Sequence, residues 1–120
     1  MSAPFRIAVH GTPAVPLEAM RANADKNAHI QVFDQQPLHA RKLAVVGGGP
    51  LVVHDLDELR AWDGDIWGIN DTAGWLMERG VKCTLFTIDA IQRPVNAVDL
   101  LAATWCDPEL FAAFEGRHRA

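Results

Sequence analysis

Positive charge is scarce in this chain, and what there is does not cluster. Lys and Arg total 11 against 15 Asp and Glu, giving a formal charge of −4 over 120 residues, and no basic run or face forms. Non-specific nucleic-acid binding depends on gathered Lys and Arg that neutralise phosphates, so a nucleic-acid partner is not expected. Long apolar runs are missing as well. No stretch approaches the ~20 residues that span a bilayer, and no charged segment followed by an apolar one opens the chain as a secretory signal would. No membrane partner is expected. Cys83 and Cys106 stand far apart, with no C-x-x-C spacing and no histidine at metal-ligand spacing. They read as two reduced, buried thiols of a cytoplasmic protein. The histidines are scattered, and no Ser-His-Asp set, Cys-His pair or histidine cluster is visible. What remains is an ordinary globular composition, 49% apolar and 22% charged, of single-domain size.

The stretch that organises the rest is LAVVGGGP, residues 43–50. Four apolar residues suit a strand buried on both faces of a parallel sheet. The three glycines that follow let a ligand approach the main chain closely. Ligands of open α/β sheets bind outside the carboxyl ends of the strands, where this turn falls.

Upstream, residues 5–9 (FRIAV) read as a short strand and residues 17–26 as a helix with Leu17, Met20 and Ala24 along one stripe. Residues 1–40 are taken as an amino-terminal extension of strand plus helix, and residues 41–120 as a Rossmann-like unit carrying a nucleotide site. Downstream of the glycines, Asp55 and Glu58 form a capping-box-like pattern before a helix with Leu56, Leu59 and Trp62 inward. Residues 66–69 (IWGI) make a second strand, and Asn70 or Asp71 caps a helix ended by Gly80. Residues 84–88 (TLFTI) make a third strand and residues 99–104 a fourth. Asp107 and Pro108 start a last helix with Leu110, Phe111 and Phe114 inward and Gly116 at its end. The expected fold is α/β: small, Rossmann-like, a mostly parallel sheet with helices on both faces.

The glycine turn fits no standard phosphate cradle. Gly47 and Gly49 match the start of G-x-G-x-x-G, but Val52 holds the third position. No lysine follows as in a P-loop, and Pro50 removes one N–H donor. A tight turn without a ligand is the structural alternative. Asn70 and Asp71 end the second strand, where such folds place a polar group for a ribose hydroxyl, and a helix cap is the alternative role. Asp89 ends the third strand, where a carboxylate can orient a sugar hydroxyl or hold a metal brought by a diphosphate; a turn residue is the alternative. His54, just past the glycines, is the one histidine placed near this rim.

Taken in order, LAVVGGGP, a capped helix, DIWGIND, WLMERGVK and TLFTIDA resemble one widespread group. It comprises proteins like the archaeal 6-hydroxymethylpterin diphosphokinases, the flagellin-associated motility accessory factors and related phage proteins. A G-x-G-P-S-L turn followed by an asparagine is similar in bacterial CMP-sialic acid sialyltransferases. The resemblance covers roughly residues 43–90 and rests on the G-x-G-P turn, the asparagine after strand two and G-[IV]-K-x6-D. It implies contact with a nucleotide or nucleotide sugar through Gly47, Gly48, Gly49, Pro50 and Asn70, with Asp71 and Asp89 on the same rim. It also implies glycosyl- or diphosphate-transfer chemistry in an active, transferase-like member, with Mg²⁺ accompanying a diphosphate substrate. Leu51 stands where the family has a serine, and the family's domains continue further than this chain. A truncated, phage-type, non-catalytic binding protein is therefore the alternative. A short sheet with little chain after it also leaves an edge or an apolar face in need of cover, so a homo-oligomer is expected, with the Trp105–Phe114 region, Phe111 included, at or beside its interface; the alternative is that the amino-terminal extension, residues 5–36, folds over and covers the gap.

Overall fold

A computed structural model describes residues 15–32, 38 and 40–120. The strand read at residues 5–9 lies outside the described residues. Among the described residues five strands form one sheet: β1 (Lys42–Val46), β2 (Gly64–Ile69), β3 (Thr84–Thr87), β4 (Asp99–Ala102) and β5 (His118–Arg119). Every pairing is parallel, and the order across the sheet is β1-β2-β3-β4-β5, the order of the chain. The α/β class, the parallel sheet and the Rossmann-like alternation of elements are as the sequence predicts.

Register decides which side chains share a face, because paired residues of a parallel ladder point the same way. On one face lie Val46, Ile66, Leu85, Leu100 and Ala102, all buried. Onto this face pack α2 (Leu56–Arg60), α3 (Thr72–Glu78) and α4 (Pro108–Ala113), which add Leu59, Leu76, Leu110 and Phe111 to the same cluster. Gly68 sets the closeness of α3. A Cβ there would lie 2.6 Å from Ala73 Cα, so only glycine lets the helix start descend onto β2.

The other face carries Leu43, Val45, Trp67, Phe86 and Leu101. Trp67 and Phe86 stack with ring centroids 5.0 Å apart, Leu101 is buried, and Leu43 and Val45 are exposed. None of α2, α3 and α4 covers it. This distribution is more one-sided than the two-faced arrangement expected, and the strand order explains it. Right-handed crossovers that always step in the same direction deliver every helix to the same side.

The first helix, α1 (Leu17–Lys26), buries none of its own residues, and Leu17 is exposed. Asn23 within it donates to the Trp105 carbonyl at 3.2 Å, and further anchorage comes from just past its end. Buried Asn27 donates to the carbonyls of Thr104 at 2.9 Å and Cys106 at 2.8 Å, and Ile30 joins the core. Phe111 and Phe114, expected at an interface, are instead 2% and 3% exposed within that core. His118 of β5 meets Phe111 edge-on and Arg117 lies over Phe114, and Ile30 joins the same cluster, so the chain's own end and the segment after α1 cover these rings.

The ends at Asp107 and Gly80 behave as the sequence predicts, while neither Asp55 nor Asp71 caps its helix through a side-chain bond. Asp107 accepts from the Glu109 N–H at 2.9 Å with Pro108 in the first turn, and Gly80 follows α3 at φ 79°. Asp55 makes no capping bond, because the chain enters α2 through a 3₁₀ turn, Val52–Asp55, which replaces the capping box.

Candidate functional site

The carboxyl ends of β1, β2 and β3 lie side by side, so the glycine turn, Asn70 and the segment ending at Asp89 share one rim of the sheet. Within that rim the predicted residues divide into two groups.

The first group lines open space. Gly48, Gly49, Pro50 and Asp71 line a cleft of about 380 Å³, together with Val52, Val53, Thr72 and Trp75. One wall is the glycine turn and the other is the start of α3. The two come close at one point, where a Cβ on Gly48 would sit 3.1 Å from Thr72 Oγ1. Gly47, Gly49 and Pro50 also border a second cleft of about 530 Å³, between β1 and α2, where Asp55, Glu58 and Trp62 are further lining residues. The ionisable side chains lining these clefts are all carboxylates: Asp71 on the first, Asp55 and Glu58 on the second. Such walls suit ligand groups that donate hydrogen bonds, such as sugar hydroxyls or amines. An anionic group there would need a cation to accompany it.

The second group is tied into a network. Asn70 stands at φ 52°, the left-handed region in which asparagine is among the few tolerated side chains. Its Oδ1 accepts from the Thr87 hydroxyl at 2.7 Å, and Thr87 Oγ1 accepts from the Asp89 N–H at 3.0 Å. Asp89 Oδ1 in turn accepts from the Ile91 N–H at 3.0 Å, an Asx turn. Gln92, buried, donates from Nε2 to Asp71 Oδ1 at 2.9 Å and closes the chain of bonds back to the cleft. Asn70 and Asp89 therefore shape the rim, while Asp71 is both part of the network and a wall of the cleft. Asp71 precedes α3 without capping it through its side chain.

Sequence reasoning missed Thr72, Trp75, Thr87 and Gln92. Trp75 carries the Arg79 guanidinium over its ring at 4.0 Å, which fixes the indole beside the cleft. Nothing in the local sequence around Thr87 distinguishes a buried hydroxyl partner from an ordinary strand threonine.

Both thiols are buried. Loss of hydration pushes Cys83 and Cys106 up to about 11, which leaves them protonated and unreactive at neutral pH. Among the described residues no group of three His, Cys, Asp or Glu is placed to hold a metal ion, and no helix is long and apolar enough to cross a membrane. A Mg²⁺ ion can be held by one or two carboxylates when substrate phosphates complete its shell, and Asp71 is the side chain at the smaller cleft suited to that. No family model, curated protein or solved structure matches this chain.

Proposed function

We propose that the cleft between the glycine turn and the start of α3 binds a nucleoside phosphate or nucleotide sugar. The observation that carries this reading is the single cleft of about 380 Å³ shared by Gly48, Gly49, Asp71 and Thr72. Bare main chain on one wall accepts a ligand at close range, as side chains there would not. Across from it, Asp71 accepts from ribose or sugar hydroxyls and Thr72 can both donate and accept. Val52, Val53 and Trp75 offer an apolar surface of the kind that ligand sites combine with a few polar groups. The resemblance of the G-x-G-P turn to nucleotide-contacting families supports the same reading.

The acidic lining makes the sugar and base, rather than the phosphates, the parts held by side chains. Asp71 is the side chain that would hold a Mg²⁺ accompanying a phosphate, and the ion would offset the negative charge of the phosphate there. Glycosyl or diphosphate transfer is the reaction the resemblance implies for an active protein. Titration calorimetry against CMP, GTP and ATP, with and without Mg²⁺, tests the proposal. Binding of at least one of them, weakened about tenfold by Asp71→Asn, is expected. Absence of heat with all three, under both conditions, would sink it.

A further inference from the structure

The edge of the sheet at β1 has its own unspent complementarity. Among the described residues β1 pairs with β2 and with nothing else. Leu43 and Val45, 45% and 57% exposed, stand on the face that α2, α3 and α4 leave open. On the opposite face the larger cleft runs beside the strand, lined by Ala44, Val46, Leu59 and Trp62 and by the carboxylates of Asp55 and Glu58. At the amino end of the same strand, on the same face as the cleft, is exposed Lys42. Lys42 at one end of this edge and Asp55 and Glu58 at the other thus carry opposite charge, while at the Lys42 end Arg41 is engaged by Asp65 and Asp63 stands close by.

We propose that β1 pairs antiparallel with β1 of a second copy about a two-fold axis through Ala44, so that Lys42 of each copy enters the acidic cleft of the other. A two-fold contact brings the same patch of both molecules together and so requires a self-complementary surface. This edge provides one. Centred on Ala44, the whole of β1 pairs with itself, and Lys42 comes opposite Val46 of the second copy, at the wall of the cleft that holds Asp55 and Glu58. Directly opposed residues of an antiparallel pair share a face. Leu43 thus meets Val45 of the second copy on the open side, and the apolar stripe continues across the axis. Ala44 meets only itself, and its small side chain permits close approach. Centring the pair on Leu43 or Val45 instead would leave part of the strand unpaired. An exposed, unpaired strand edge is also what recruits another chain. The proposal is independent of whether the glycine turn binds a nucleotide.

Sedimentation velocity of the full chain at micromolar concentration, with site-directed variants, provides the test. A dimer of twice 13.2 kDa is expected. Lys42→Glu should weaken it about tenfold or more by placing like charges together, and Lys42→Glu combined with Glu58→Lys should restore it. Ala44→Cys should form a disulfide between copies under mild oxidation, because the axis opposes residue 44 to itself within disulfide reach. Val46→Cys should not, since Lys42 faces it. A wild-type monomer throughout the concentration range would overturn the proposal. A dimer indifferent to Lys42→Glu, or crosslinked as well by Val46→Cys as by Ala44→Cys, would overturn it equally.

Discussion

The Thr87 hydroxyl donates to the Asn70 side-chain oxygen at 2.7 Å, joining the carboxyl ends of two neighbouring strands. Thr87 is 1% exposed, so its hydroxyl has no recourse to water if that acceptor is lost. Asn70 is also held at φ 52°. Asn70→Ala removes a side chain suited to that conformation and leaves the buried hydroxyl unpaired, a combined loss of roughly 2–4 kcal/mol. Asn70→Gly keeps the backbone at ease and should lose about half as much. Urea denaturation of the two variants separates the effects, and equal losses would contradict the backbone share.

Gly68 lies under the first turn of α3. Gly68→Ala places a methyl group 2.6 Å from Ala73 Cα and 2.9 Å from Ala73 N, atoms that cannot move without shifting the helix. Overpacking of this kind costs about 1–3 kcal/mol or more. Thermal unfolding should show a clear fall in midpoint, and an unchanged midpoint would mean that α3 sits further from β2.

Gly48 behaves differently. Its neighbour is the end of one side chain, Thr72 Oγ1 at 3.1 Å, which can rotate away. Gly48→Val should leave stability within about 1 kcal/mol of the parent while filling the mouth of the cleft. Calorimetry should then show nucleotide affinity reduced about tenfold or more, and unchanged affinity would remove the turn from the site.

The thiols give a pH dependence of definite sign. Cys83 and Cys106 are raised from 9.0 to about 11 in the folded protein, so the folded state holds its thiol protons more tightly than the unfolded state. Their contribution is complete below pH 9 and is lost as pH rises towards 11, by an amount on the order of 2 kcal/mol per thiol. The chain has no tyrosine whose ionisation would overlap this range. Cys83→Ser and Cys106→Ser variants, titrated by denaturation at pH 8, 9 and 10, should show a flatter profile than the parent. A parent profile already flat would rule this out.

Much of the fold was legible because its strands are short apolar runs with sharp punctuation. β1 to β4 fall within two residues of their expected limits, and β1, β2 and β3 are adjacent and parallel as predicted. β5, only His118–Arg119, has no periodicity to read, and it is one of the segments whose absence made Phe111 and Phe114 look uncovered. Hydrophobic pattern says which side of an element is apolar, not which distant segment will lie on it. The same limit governs the site. The glycine turn and Asp71 could be placed on one rim from strand order alone. Thr72 facing Gly48, and Thr87 bonded to Asn70, are pairings between segments, and no single segment records them.

Because the strands stand in space in the order in which they occur in the chain, each described strand finds its partner by closing only the segment between them. Contacts so local in sequence favour fast folding. They also allow the sheet to grow from one edge during synthesis, each strand templated by the one just made. Among the described strands β1 is the first template finished, and its outer side stays free after the others have paired. Of the described strands, the edge exposed longest is also the one that a second copy would cover in the proposed pairing.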